Sequence, residues 1–182
     1  MNTKQTQQTA YDALRGEFGY KSVMQAPRIE KIVVSSGVGK KRDQKVIDLI
    51  QDRLAKITGQ KPSPRAARMS IASFKVRQGD TVGLTITLRG ARMFDFMDKL
   101  IHIALPRTRD FRGLSAKAID DMGNLTIGIR EHTIFPETSD EDIKDVFGLA
   151  ITVVTTAKSK REAEAFFRHL GVPLRVDEPK KR

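Results

Sequence analysis

Apolar and polar positions alternate over 82–89. Val82, Leu84, Ile86 and Leu88 fall on one side, and Gly83, Thr85, Thr87 and Arg89 on the other. A period of two is that of a half-buried strand. Leu125, Ile127 and Ile129 repeat it, as do Leu149, Ile151 and Val153. Ile29, Ile32, Val33 and Val34 lead into Ser35-Ser36-Gly37-Val38-Gly39, a strand with a glycine-rich exit. An extended piece is expected around 64–69, where Pro64 restricts it to a sheet edge or to a strand's first residues.

Helical spacing appears elsewhere. Tyr11, Leu14 and Phe18 predict a short helix after a polar, frayed stretch over 1–9. Val46, Ile47, Ile50, Leu54 and Ile57 make an apolar stripe over 43–58, with Gly59 placed for a left-handed cap. A helix over 91–104 should turn Met93, Phe94, Met97, Leu100 and Ile101 inward and stop at Pro106. Ser159 and Glu162 form a capping box for a helix that buries Ala163, Phe166, Phe167 and Leu170. Ser139 and Asp142 suggest a shorter one ending at Gly148, and Phe135-Pro136 should close a short extended piece. The alternating strands imply one packed and one open sheet face. The expected fold class is therefore α+β: an antiparallel sheet with helices packed on one face, in two layers. A single domain is expected over 1–182, with 1–9 and 176–182 as flexible ends.

Charge changes the picture. Lys+Arg is 33 against Asp+Glu 22, a net charge of +11, which favours a polyanionic partner. There is no cysteine, so disulfides, thiol nucleophiles and cysteine-bound zinc are excluded. His102, His132 and His169 are not spaced as metal ligands. No apolar run approaches the ~20 residues that span a bilayer, and the first residues lack a signal core. These features predict no membrane partner, no cofactor and a cytoplasmic protein.

The run 61–92 holds seven Lys/Arg and one acid, Asp80, beside the alternating strand. Hydroxyls and guanidinium groups on an open face suit phosphate oxygens. Within it, Phe74-Lys75-Val76-Arg77-Gln78-Gly79 belongs to a loop over 70–80. An aromatic there can stack on a base and the cations can meet phosphates, or Phe74 can plug the core beneath the loop. The glycine-rich 35–41 is not a Walker loop: Val34 stands where its first glycine should be, and Lys41 where Ser or Thr should follow Lys40. It remains either a plain turn or a place where backbone approaches RNA. Asp140-Glu141-Asp142 suits a helix N-terminus better than a metal, and Asp120-Asp121 precedes an ordinary turn. No catalytic constellation can be assembled.

Several blocks then resemble a known family. They are Ala26-Pro27-Arg28-Ile29-Glu30-Lys31-Ile32-Val33-Val34, Ile57-Thr58-Gly59-Gln60-Lys61-Pro62, the 74–79 block, Thr87-Leu88-Arg89-Gly90 and Pro106-Arg107-Thr108-Arg109-Asp110-Phe111-Arg112-Gly113-Leu114. Gly123-Asn124, Ile134-Phe135-Pro136-Glu137 and Val154-Thr155-Thr156-Ala157 follow in the same order. Together, from about 11 to 175, they resemble the large-subunit ribosomal protein five family, bacterial in type. The resemblance implies a non-enzymatic protein of the large ribosomal subunit that attaches 5S rRNA in the central protuberance. It also implies contact with P-site tRNA through the 73–82 loop, a bridge to small-subunit protein thirteen through loops within 109–146, and 23S rRNA and neighbouring large-subunit proteins as further partners.

Carried over by position, the 5S rRNA surface would use Ser35, Ser36, Gly37, Gly39, Gln60, Lys61, Phe74, Thr87 and Arg89. The tRNA-facing loop would use Lys75, Arg77, Gln78 and Gly79. Ser35 stands where the family usually has Asn, and its single hydroxyl reaches less far. Asp80 and Thr81 are expected at the loop tip, where an acid would weaken contact with tRNA phosphate. The rival readings are an enzyme acting on RNA and a free RNA regulator of the same fold.

Overall fold

A computed structural model describes residues 2–39, 44–138 and 146–175. They hold four α-helices and one open, antiparallel five-stranded sheet, so the α+β class read from the alternation is borne out. The order along the chain is α1 (Thr3–Phe18), β1 (Ile29–Gly37), α2 (Gln44–Thr58), β2 (Ser63–Ala66), β3 (Thr81–Leu88), α3 (Ala91–Lys99), β4 (Leu125–Ile129), β5 (Leu149–Thr155) and α4 (Lys160–His169). Across the sheet the strands run β2-β3-β1-β5-β4. The described residues cluster in two compact units, one within 1–32, 89–127 and 152–175, the other within 33–88 and 128–151.

In the first unit the core is built on Leu14, Met93, Phe96, Met97, Leu100, Phe166 and Phe167. Phe96, not Phe94, is the buried aromatic of α3. α1 starts at Thr3 rather than near Tyr11. Asn2 caps it by accepting the Lys4 N–H, and the Asp98 carboxylate of α3 accepts the backbone N–H (2.8 Å) and the hydroxyl of Thr3. Tertiary anchoring thus makes a helix of a polar stretch that periodicity alone leaves frayed. α3 runs into a π-turn over Leu100–Ala104, where the Leu105 N–H reaches back five residues to the Leu100 carbonyl at 3.0 Å. His102 lies exposed on that turn. The Ser159 hydroxyl caps α4 through the Glu162 N–H at 3.3 Å. The buried Glu162 carboxylate accepts the Tyr20 hydroxyl at 2.5 Å and the Lys158 N–H at 2.7 Å.

In the second unit α2 buries Ile47, Ile50, Leu54 and Ile57, and Gly59 takes the left-handed conformation its position predicts. Leu84, Ile86 and Leu88 of β3 and Val34 of β1 are buried, and their neighbours in sequence face outward. β2 pairs antiparallel with β3 (Ser63↔Thr85 to Arg65↔Gly83), with a register shift before Ala66↔Thr81. Around Phe135 the chain makes two 3₁₀ turns, His132–Ile134 and Pro136–Thr138, rather than an extended piece. His132 is a core residue: its ring stacks on Phe147 at 4.2 Å, and its Nδ1 accepts the Phe147 N–H at 3.4 Å. The capping box at Ser139 and Asp142, the acidic cluster 140–142 and the tail 176–182 lie outside the described residues.

Candidate nucleic-acid interface

The outward side of β1 and β3 in the second unit carries hydroxyls and small residues, and Arg65 of the edge strand β2 stands opposite Gly83 on it. Ser35 and Gly37 project from β1, and Gly83, Thr85 and Thr87 from β3. Thr85 was not singled out from the sequence, although its place in the alternation marks it. Beside this face the Gln60 amide donates to the Thr87 carbonyl at 3.4 Å, and Lys61 is exposed. Ser36 faces the other way: it is buried, and its hydroxyl donates to the Gly148 carbonyl at 2.8 Å. It can face a ligand only through its backbone. Past the strand exit, the Val38 N–H bonds the Val82 carbonyl at 3.0 Å, which fixes the Gly37–Gly39 turn against β3. Arg89 belongs to the first unit, where its guanidinium lies 3.7 Å from the Glu30 carboxylate across an exposed pair.

From the β2–β3 hairpin an arm extends over 67–80. Much of its backbone is paired within the arm. The Ala67 N–H donates to the Asp80 carbonyl (2.8 Å) and the Gly79 N–H to the Ala67 carbonyl (3.1 Å). Ile71 and Val76 exchange both backbone bonds, at 2.9 and 3.2 Å. The reversal between them is a 3₁₀ turn, Ala72–Phe74, closed by Lys75 in the left-handed conformation at φ 52°. The Gln78 N–H donates to Ser70 Oγ at 2.9 Å and the Arg77 N–H to Asp80 Oδ2 at 2.8 Å.

This geometry corrects the placement of Asp80 and Thr81. Thr81 is in β3, paired with Ala66, and Asp80 closes the base of the arm. The tip is 72–75. The carboxylate caps a turn there and does not meet an incoming phosphate at the tip. Phe74 is 71% exposed, so it does not plug the core. Met69 at 71% and Ile71 at 43% are exposed with it, and sequence reading missed both. Their signal was apolar residues in a basic stretch with no periodicity to bury them.

Two clefts flank the arm. One, of about 800 Å³, is lined by Gly37, Met69, Ile71, Phe74, Val82 and Phe147 among others. The other, of about 770 Å³, is lined by polar groups that include Gln44, Ser70, Lys75, Arg77 and Thr81. Gly39, Val76 and Val82 line both. Among the described residues no group of three His, Asp or Glu side chains could hold a metal, and no helix is long and apolar enough to cross a membrane.

The Asp120 turn in the first unit is structural. Burial raises the carboxyl's pKa, but hydrogen bonds from the Asn124 side chain and from backbone N–H groups of 122–124 outweigh it, so Asp120 lies below the usual value. Asn124 in turn accepts the Thr155 N–H at 3.3 Å.

Comparison with known proteins adds a separate finding. A family model described as ribosomal protein L5 matches residues 22–77, and one describing the C-terminus of the same ribosomal family matches residues 81–174. The chain is similar to large ribosomal subunit protein uL5 of Anaeromyxobacter sp. strain K, 53% identical over 163 residues, which is 89% of this chain and 91% of the relative. Against uL5 of Trichlorobacter lovleyi the identity is 47% with the same coverage. Against uL5 of Natranaerobius thermophilus it is 48%, over 88% of this chain and 90% of the relative.

Proposed function

The chain belongs to the ribosomal protein L5 family, and from that premise we propose that it holds 5S rRNA on the outward face of its second unit. As a member it is a structural, non-enzymatic constituent of the large ribosomal subunit, in the cytoplasm within the ribosome. The finer reading is that this constituent attaches 5S rRNA in the central protuberance, beside 23S rRNA and neighbouring large-subunit proteins.

One observation carries it: within one compact unit, a hydroxyl face free of carboxylates, with Arg65 at its edge strand, adjoins an arm bearing exposed cations and an exposed aromatic. Ser35, Thr85 and Thr87 offer short donors and acceptors without the repulsion of a carboxylate, and Gln60 adds an amide beside Thr87. Gly37 and Gly39 let the backbone come close to a sugar or phosphate. Ser36 supports that approach from inside through its bond to Gly148. Lys61 supplies unspecific attraction here; Arg89, in the first unit, is a separate proposed phosphate contact. Phe74 gives a flat apolar surface for a base.

On the arm, Lys75 and Arg77 meet phosphates of P-site tRNA. Gln78 and Gly79 shape the turn that presents them, through the bonds to Ser70 and Ala67. Loops within 109–146 make the bridge to small-subunit protein thirteen. Residues 139–145 of that span are outside the described ones.

The test is titration of the protein against 5S rRNA over a salt series, with excess tRNA as competitor. Saturable binding that survives the competitor is expected, and its salt slope counts the phosphate contacts. Binding that tRNA abolishes would reduce the face to a generic basic surface.

A further inference from the structure

We propose that the apolar side of the 67–80 arm is a seat for an unstacked base of 5S rRNA, in which Met69 and Ile71 are contact residues alongside Phe74. The inference rests on the 5S rRNA reading above and goes beyond it by assigning the two sides of the arm to different chemistry. Met69, Ile71 and Phe74 are the large apolar side chains left exposed in the described part of the second unit, and all three line the same cleft of about 800 Å³. On the opposite side of the wall made by Val76 and Val82, the cleft of about 770 Å³ presents Ser70, Lys75 and Arg77. One side is therefore mostly apolar, with Arg68 as its one charged side chain, and the other gathers Lys75 and Arg77, together with Asp80, over a smaller apolar area.

Charge decides which occupant fits the apolar side. Arg65, Arg68, Lys75 and Arg77 are exposed on the hairpin and its arm. Asp80, the one acid from 61 to 92, is tied to the Arg77 N–H. An apolar protein segment gains nothing from such a rim, whereas a polynucleotide brings flat apolar bases and negative charge together. The floor agrees. Gly37 lies in the strand without a left-handed backbone, and a Cβ there would meet nothing within 4 Å. Neither packing nor backbone conformation requires glycine at 37, so its effect is open space over the backbone, next to the hydroxyl face.

The experiment compares Met69→Ser, Ile71→Ser and the double variant with the wild-type chain in 5S rRNA titrations at several salt concentrations. Stacking and apolar contact with one base predict a loss of about fivefold or more in the double variant. The loss should be the same at every salt concentration, because no phosphate contact is removed and the log–log slope stays unchanged. A Met69→Leu/Ile71→Val variant keeps the apolar wall and should recover most of the affinity. Melting curves separate binding from folding, since all these side chains are exposed. Unchanged affinity in the folded double variant, or a loss confined to low salt, overturns the base seat while leaving the 5S rRNA reading intact. Failure of the wild-type chain to bind 5S rRNA over competitor overturns both.

Discussion

Gly79 and Gly123 occupy similar backbone and opposite surroundings. Both have positive φ, 94° and 82°, and both lie in turns at the ends of strands. A Cβ on Gly123 would stand 2.8 Å from Ala157 Cβ, 3.2 Å from the Ala157 carbonyl and 3.3 Å from Ala163 Cβ, whereas one on Gly79 would meet nothing within 4 Å. The Gly123 carbonyl also accepts the Thr155 hydroxyl at 2.7 Å. The Gly123 turn is closed around its neighbours and holds strand and helix in place. The Gly79 turn is closed through bonds within the arm, and most of its side chains are exposed. A turn paired within itself while its side chains are exposed is shaped for something other than its own core.

The sharpest way to break the comparison is Gly123→Ala. Left-handed strain of about 1–2 kcal/mol adds to overpacking against an anchored Ala157 of about 1–3 kcal/mol. A loss of about 3 kcal/mol is expected by denaturant unfolding. A loss below about 1 kcal/mol would mean that the turn yields, and that the contrast with Gly79 is one of geometry rather than energy.

Next in size is Glu162→Gln, in the same unit as Gly123. Its carboxylate accepts two donors, and an amide would turn an N–H toward one of them. The expected loss is about 2 kcal/mol, the range for leaving a buried group unsatisfied. The pair also sets an alkaline limit. Burial first, then the hydrogen bond and charge of Glu162, push the Tyr20 phenol well above its ordinary 10.0. The folded state therefore holds this proton more tightly than the unfolded state. Its contribution is complete below pH ~10 and is lost as pH rises further, at about 1.4 kcal/mol per pH unit. Tyr20→Phe should flatten the stability profile above that pH relative to the wild-type chain. An unchanged alkaline slope would remove Tyr20 from the account.

The two turns also differ in how far the sequence reveals them. Gly123-Asn124 is a turn signal followed by an alternating strand, and the structure has both. The arm reads as a loop because its reversal rests on Lys75, a residue with no turn signature, so Asp80 and Thr81 look like its tip. β2 is legible only through its proline, since all four of its side chains are exposed. α1 is short in the sequence for a related reason: Asp98, 95 residues away from Thr3, fixes its first turn. Alternation does place Ser35, Thr85 and Thr87 on the open face, but it cannot tell that Ser36 is bonded inward. Periodicity reports which way a side chain points and is silent on the partner that satisfies it.

Gly79→Ala is the counterpart of the first variant and sharpens the comparison. With no neighbour to strike, it carries only the left-handed strain, about 1 kcal/mol. Its effect on RNA binding should exceed its effect on melting, because the strained bend presents Lys75 and Arg77. A destabilisation equal to that of Gly123→Ala would show that the arm is part of the core.

Asp80→Ala should have the smallest effect on stability, below about 0.5 kcal/mol, because water can take over the exposed Arg77 N–H. Its effect on RNA affinity sets two terms against each other. Removing a carboxylate from a cationic arm favours a polyanion, and loosening the 77–80 turn disfavours it. Exposed charges act over a Debye length of about 8 Å at 0.15 M salt and about 30 Å at 0.01 M. The charge term therefore dominates only at low salt, where the variant should bind RNA more tightly than the wild-type chain. Near physiological salt the two should be within about twofold, since screening shrinks the gain to the size of the loosened turn. A tenfold loss at both salt concentrations would show that RNA reads the geometry of the turn more than its charge, and would make Asp80 a positioning residue.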